Sequence, residues 1–246
     1  MQIVFWMTTV LMTGYIALIL FYRKCWKAIP DFKEDDFDSQ RNLFISVIIP
    51  ARNEEKNIIA LLNSLKNQTF AETNFEVLVI DDFSTDNTAD FVCDFPAKNI
   101  KLISLREHIG DDSINSYKKK AIEIGVQLCK GELIVTTDAD CIFQQNWLSS
   151  IVSFYEKTNC KMIAAPVNYI GEKSIFQHLQ SLDFIGFQGI TGGCLNFNFP
   201  NMCNGANLIF EKNAYEEVSG YEMANNTASG DDMLLMHKIA KRFPRS

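Results

Sequence analysis

The sequence predicts an α/β protein: a doubly wound, mostly parallel sheet flanked by helices and preceded by one N-terminal transmembrane helix. Three observations carry this. First, the short runs FISVIIPA (44–51), FEVLVIDD (75–82), IKLISL (100–105), ELIVTTD (132–138) and KMIAAPV (161–167) are continuously apolar rather than alternating. Strands buried on both faces of a parallel sheet read this way. Second, helical periodicities lie between them. In EEKNIIALLNSLKNQ (54–68), Ile58, Leu61, Leu62 and Leu65 fall on one face, and SYKKKAIEIGVQLCKG (116–131) repeats the pattern until Gly131. Alternating strand and helix points to a doubly wound sheet, which binds ligands beyond the carboxyl ends of its strands. Third, residues 1–22 carry no charged side chain. An apolar run of about 20 residues is long enough to cross a hydrocarbon core of about 30 Å.

That first segment reads as an anchor rather than a cleaved signal peptide. No basic region precedes the run, and bulky Phe21, Tyr22 and Trp26 stand where small cleavage-site residues belong. Arg23, Lys24 and Lys27 follow it directly, which places the rest of the chain on the cytoplasmic side of the membrane, with Trp26 at the interface. The predicted organisation is a transmembrane anchor at 1–22, a juxtamembrane linker at 23–43 containing IPDFKEDDFDSQRN, and a globular domain at 44–246. A chain of 246 residues that is 47% apolar and 22% charged accommodates one such domain plus the appendage.

Bulk chemistry narrows the partners. A net charge of −7 without a basic stripe argues against nucleic acid. It still admits a small anionic ligand if a metal ion supplies the missing positive charge. The seven cysteines are scattered without Cys-x-x-Cys, and the three histidines (108, 178, 237) lack metal-ligand spacing. Neither a disulfide framework nor a zinc site is expected; buried thiols in a reducing compartment are.

The strand ends hold the polar chemistry. They present Pro50-Ala51-Arg52-Asn53-Glu54, Asp81-Asp82-Phe83-Ser84-Thr85-Asp86 and Asp138-Ala139-Asp140, so acidic groups converge on one edge. Gathering like charges there is costly without a cation or a hydrogen-bonding ligand. Each element has a plainer reading. Asp-x-Asp recurs at Asp36-Phe37-Asp38 in a turn-like stretch with no strand before it. Asp82 or Ser84 could cap a helix beginning near Thr85, Gly230-Asp231-Asp232 could cap the helix of MLLMHKIA, and Lys118-Lys119-Lys120 could be a solvated helix face.

Taken in order, the motifs resemble the inverting family-two glycosyltransferases of the GT-A fold, which include membrane-bound cellulose, chitin and hyaluronan synthases and cell-wall biogenesis transferases. VIIPARNEEKNI looks like their first strand and turn, and VLVIDDFSTDNTAD like their nucleotide-binding aspartate motif. KKKAIEIGV followed by GELIVTTDAD looks like their lysine helix and metal motif, NGANLIFEKNAYEEVSGYE (204–222) like their acceptor-side segment, and SGDDMLL (229–235) like their catalytic acidic pair. The likeness runs from about residue 45 to 240.

The resemblance implies an inverting, metal-dependent, hexosyltransferase-like enzyme. It would take a UDP- or GDP-sugar donor and a lipid or glycan acceptor at the cytoplasmic membrane face. It assigns Mg²⁺ or Mn²⁺ to Asp140 with help from Asp138. Asp82 would bond the nucleobase, with Pro50, Ala51, Glu54 and Asp81 lining the nucleotide and Lys118, or Lys119 in a shifted register, reaching a phosphate or the base. Asp232 would be the base and Asp231 its alternate, since Asp231 stands where the family more often has glutamate. Gly205 and Asn207 would shape the acceptor side, and Trp147 the donor-sugar side.

The Gln-x-x-Arg-Trp motif of processive members is missing, since the tryptophans are at 6, 26 and 147. The chain therefore reads as a fragment of a longer membrane enzyme or as a short transferase, which leaves the acceptor class open. Two other classes compete. A nucleotidyltransferase needs a glycine-rich first turn, which IIPARNEE lacks. A catalytically silent, membrane-tethered nucleotide-sugar-binding module would be marked by loss of Asp140 or Asp232, and both are present.

Overall fold

A computed structural model describes residues 1–32, 43–109, 116–221 and 230–244. In chain order the elements are α1 (Gln2–Lys27), β1 (Ile45–Ala51), α2 (Ile58–Lys66), β2 (Phe75–Asp81), α3 (Thr88–Cys93), β3 (Ile100–Ser104), α4 (Leu105–Ile109) and α5 (Tyr117–Leu128). They continue with β4 (Leu133–Thr136), α6 (Trp147–Thr158), β5 (Met162–Ala164), α7 (Ile175–Asn196), β6 (Leu208–Glu211), α8 (Lys212–Glu217) and α9 (Asp231–Arg242). They fall into two units, one made of Met1–Phe32 with Pro166–Met202, the other of Lys33–Ala165 with Cys203–Ser246.

The larger unit is a six-stranded sheet in the order β3-β2-β1-β4-β6-β5. β1 runs parallel to β2 and β4, and β2 runs parallel to β3; β6 is antiparallel to both β4 and β5. Ile45, Val47, Ile49 and Ala51 of β1 pack on one side with Leu61 and Leu62 of α2 and Leu148 and Val152 of α6. Ile48 packs on the other side with Ala121 and Ile122 of α5 and Leu235 and Ile239 of α9. Two helical layers thus cover both faces, which is why the strand runs are continuously apolar. Chain order reverses between β1 and β4, so the crevice beyond Ala51 and Thr136 is the topological switch point where such sheets bind ligands.

Several elements are shorter than the sequence predicts. α2 starts at Ile58 because Glu54–Asn57 is a turn, tied down by the Thr88 hydroxyl that accepts from the Glu54 N–H at 2.8 Å. β3 stops at Ser104 because Leu105 opens α4, β4 stops at Thr136, and β5 keeps only three residues at the sheet edge. β6 lies in the segment 204–222 that the sequence marks only as an acceptor-side motif.

In the smaller unit α1 runs 26 residues and continues through Arg23, Lys24 and Lys27, so the helix reaches beyond the expected anchor boundary at residue 22. Most of the remaining expected linker, 33–42 with Asp36 and Asp38, lies outside the described residues. α7 begins with a capping box: Ser174 Oγ accepts from the Gln177 N–H at 3.2 Å, and Gln177 Oε1 accepts from the Ser174 N–H at 3.0 Å. Residues 166–202, expected inside one 44–246 domain, group instead with α1.

Candidate active site

The turns after β1 and β2 are laced together by side chains. Ser84 Oγ accepts from the Asn53 N–H at 3.1 Å, and Asn53 Oδ1 accepts from the Thr85 N–H at 2.8 Å. Asn53 and Phe83 both adopt positive φ, 56° and 54°. For an aromatic residue this is an uncommon backbone state, held only where surrounding contacts over-determine it. Neither Asp82 nor Ser84 caps a helix; α3 is preceded by Asn87, and Asp86 Oδ1 accepts from the Thr88 N–H at 3.0 Å.

Asp82 instead lies just past Asp81, the carboxyl end of β2. It is 7% exposed, its N–H donates to the Ala51 carbonyl at 2.8 Å, and its Oδ2 lies 3.8 Å from Arg52 Nη1. Burial pushes its carboxyl up, Arg52 opposes this, and Asp81 adds to it. Among the described residues, Asp81 Oδ1 and Asp82 Oδ1 are both buried without a hydrogen-bond partner. Such groups are costly unless a ligand supplies the missing donor. Arg52 and Phe83 share Tyr117, the guanidinium 5.8 Å from the ring centroid and Phe83 edge-on at 5.6 Å. The Ala51 side chain is packed in the core, so this residue offers the crevice only backbone. Pro50, half-buried, pairs with Ile80 in the sheet. Glu54 Oε2 accepts from Asn57 Nδ2 at 2.7 Å.

The three lysines at the start of α5 differ completely. Lys118 Nζ pairs with Asp138 Oδ1 at 2.5 Å, Lys119 is buried and acts on Asp231, and Lys120 pairs with Glu123 at 3.1 Å. Asp138 is half-buried and Asp140 exposed, on either side of the buried Ala139. No cluster of three or more histidine, cysteine or acidic side chains forms a closed metal cage among the described residues. Two neighbouring carboxylates nonetheless suit Mg²⁺ or Mn²⁺, hard ions that bind one or two protein oxygens and complete their shell from substrate phosphates.

Asp231 and Asp232 lie in the first turn of α9, where the residue before the helix is Gly230 at φ 87°, with no side-chain cap bond. Asp232 Oδ1 accepts from the buried Tyr221 hydroxyl at 3.4 Å, and Tyr221 packs edge-on against Tyr215. A Cβ added to Gly205 would overlap Asp232 Oδ2, so the Gly205 segment and the carboxylate are in direct contact. Gly205 is held there by its carbonyl, which accepts from Thr136 Oγ1 at 2.9 Å. Trp147 Nε1 donates to Asn207 Oδ1 at 3.2 Å, and its ring stacks on Phe143 at 3.6 Å. Burial raises the Asp232 carboxyl, Lys118 opposes, and Asp138 and Asp231 raise it further. The same coupling appears at Cys203, whose thiol burial and Asp232 push up to about 12.

Residues 46–218 match Glycosyl transferase family 2. The chain belongs to that family. Among curated relatives of this family 2 chain, the glycosyltransferase AglE of Haloferax volcanii is 32% identical over 126 residues, 51% of this chain and 40% of that protein. The UDP-Glc:alpha-D-GlcNAc-diphosphoundecaprenol beta-1,3-glucosyltransferase WfgD of Escherichia coli is 32% identical over 134 residues, 53% of this chain and 48% of that protein. The chain thus spans less than half the length of either. Among solved structures, the mannosyltransferase PcManGT of Pyrobaculum calidifontis in complex with GDP-Man and Mn²⁺ superposes with a TM-score of 0.70 at 20% identity. That superposition covers 95% of this chain and 62% of the other, and shows the shared fold.

In this family 2 chain, the structure brings Asp81, Asp82, Asp138, Asp140, Gly205, Asn207, Trp147 and Asp232 to the carboxyl edge of the sheet or the segments leading from it. Sequence reasoning missed Arg52 as the partner of Asp82 and Tyr221 as the partner of Asp232. Both sit inside quoted motifs, PARNEE and VSGYE, but nothing in their spacing marks the pairing.

Proposed function

We propose that the chain carries the catalytic domain of an inverting, metal-dependent glycosyltransferase. It moves a sugar from a UDP- or GDP-sugar to a lipid or glycan acceptor at the cytoplasmic membrane face, with α1 as the anchor. The observation that carries the reading is the placement of Asp232 against Gly205 beside the Lys118–Asp138 pair, on the edge where Asp81 and Asp82 hold buried, unpartnered carboxylate oxygens.

In this mechanism Asp82 and Asp81 take hydrogen bonds from the base, with Pro50, Ala51 and Glu54 around the nucleotide. Asp140 and Asp138 would hold Mg²⁺ or Mn²⁺, which supplies Lewis-acid stabilisation of the leaving diphosphate. Lys118, already on Asp138, adds positive charge at the same point. Asp232 removes the proton from the acceptor hydroxyl as its oxygen bonds the anomeric carbon from the face opposite the diphosphate, and the bond from that carbon to the diphosphate oxygen breaks. The raised carboxyl suits a base, and Tyr221 holds its orientation. Gly205 and Asn207 border the acceptor, and Trp147 the donor sugar.

A panel of nucleotide sugars with Mn²⁺, read by melting temperature and by mass spectrometry of donor hydrolysis, tests this. A donor that raises the melting temperature only with Mn²⁺ supports the reading. Equal stabilisation with a chelator removes the cation from it. No stabilisation and no hydrolysis by any donor, with the chain folded, leaves the silent binding module without a ligand and sinks the transferase.

A further inference from the structure

Thr136 is the last residue of β4 and is buried, yet its hydroxyl serves another segment. Oγ1 donates to the Gly205 carbonyl at 2.9 Å and approaches the Leu208 carbonyl at 3.4 Å, so the bond to Gly205 is the stronger. A β-branched side chain has little freedom at χ1, and the direction of this hydroxyl is therefore set by the strand. Asp138 follows two residues on and pairs with Lys118. Both lie close enough to Asp232 to act on its charge.

The carbonyl that Thr136 holds belongs to the one-turn helix Gly205–Asn207. Other groups fix the shape of this turn and its far end. Asn204 Oδ1 accepts from the Ala206 N–H at 3.0 Å, the Asn207 carbonyl accepts from the Ala165 N–H at 3.0 Å, and Asn207 Oδ1 accepts from Trp147 Nε1 at 3.2 Å. The Gly205 end is tied to β4 by Thr136. The three atoms nearest to a Cβ built on Gly205 all belong to the Asp232 carboxyl group, with Cγ at 2.8 Å and Oδ1 at 2.9 Å. The Tyr221 hydroxyl reaches Asp232 at 3.4 Å, a long bond and a weak restraint. The backbone of Gly205 is the firmer support of the carboxylate, and Thr136 fixes that backbone.

We propose that Thr136 is a positioning residue: by holding the Gly205 carbonyl, its hydroxyl sets the place of the Asp232 carboxylate relative to Asp138 on the same strand end. The proposal rests on the reading of Asp232 as the base, where a displacement of about 1 Å is enough to lower the rate on the order of a hundredfold. Thr136→Val keeps the shape and removes the donor. In the full chain, with a nucleotide sugar that the parent turns over in Mn²⁺, Thr136→Val should lower kcat roughly tenfold or more and leave the donor Kd within about twofold. Thr136→Ser keeps the hydroxyl and should stay near the parent rate. Thr136→Cys, a weaker donor of similar size, should fall between, and it carries the test if Thr136→Val does not fold. Gly205→Ala displaces the same carboxylate, so combining it with Thr136→Val should cost less than the product of the two separate losses. A normal kcat in Thr136→Val with Asp232→Asn impaired overturns the inference and leaves the base in place, whereas normal rates in both overturn the two together. Equal losses in Thr136→Ser and Thr136→Val, a donor Kd that rises as kcat falls, or losses that simply multiply in the double variant make Thr136 a packing residue and overturn it as well. A parent chain that turns over no donor removes the reading of Asp232 and this inference with it.

Discussion

Glu76 and Asp82 stand near opposite ends of β2, and the fold treats the two carboxylates in opposite ways. At the amino edge of the sheet, Glu76 accepts from Ser46 Oγ at 2.9 Å, from the Lys130 N–H at 2.7 Å and from Lys101 Nζ at 3.1 Å. Burial alone would raise it, but those bonds, together with the Lys101 charge, hold it below its ordinary value. At the carboxyl edge, burial raises Asp82, Arg52 reaches it only at 3.8 Å, and one oxygen has no partner. A buried charge surrounded by its own donors holds a structure together, while one short of donors is ready for a ligand. Two glycines repeat the contrast. A Cβ on Gly131 would strike the Ser46 backbone, whereas one on Gly205 would strike the carboxylate end of Asp232. Backbone cannot yield cheaply, but a side chain can.

This comparison is broken or sharpened by variants at the two edges. The largest effect belongs to Asp232→Asn, expected to lower turnover by roughly a hundredfold or more with donor affinity nearly intact. Transfer rates set against nucleotide-sugar titrations check it, and normal turnover would move the base to Asp231. Glu76→Ala should cost about 1 to 3 kcal/mol of stability, because it strands the buried Ser46 hydroxyl and removes the acceptor of the Lys130 N–H. Urea unfolding measures this, and donor affinity of the folded fraction should not move.

Gly205→Ala should slow transfer on the order of tenfold to a hundredfold by displacing the Asp232 carboxylate. Its unfolding midpoint should stay near that of the parent chain, while that of Gly131→Ala falls. A loss of stability at Gly205 equal to that at Gly131 would erase the distinction between the edges. Asp82→Asn should weaken donor binding by roughly tenfold, about 1.4 kcal/mol, without destabilising the fold, as calorimetric titration and thermal unfolding can show.

The smallest effect is in pH. Glu76 is lowered on folding, so its stabilisation is present above its ordinary value of 4.5 and is lost as pH falls through the lower folded value. Asp232 is raised above 3.8, so the acid limb of the rate profile should lie above the ordinary aspartate range. Tyr221→Phe removes a bond that lowers the carboxyl and should shift that limb upward, with no change in the acid unfolding set by Glu76.

Much of this fold is legible in the chain. The cores of β1, β2 and β4 and the apolar faces of α2 and α5 follow from segments that avoid water on both sides or on one. β6 was not legible as a strand: LIFE is four residues long, and its antiparallel pairing with Leu133–Thr136 is set more than 70 residues away in sequence. Among the candidate site residues, the aspartates at 82, 138, 140 and 232 were legible as motifs. The fates of Lys118 and Lys119 were not, because only the rotation of α5 over the sheet decides which lysine meets Asp138 or Asp231, whereas Lys120 pairs with Glu123 three residues on in the same helix.

The sequence by itself determined the alternation of buried strands and one-sided helices, the charge-free first 22 residues, and the presence of acids at strand ends, because each depends on the polarity of neighbouring residues. Only the tertiary structure decided which acids are satisfied. Glu76 is a polar residue inside FEVLVIDD until Ser46, Lys101 and Lys130 arrive from three other segments. Asp232 is an ordinary first-turn acid until Gly205 and Tyr221 close on it. Hydrogen bonding and desolvation act over a few ångströms in space, and the chain separates those partners by 11 to 54 residues.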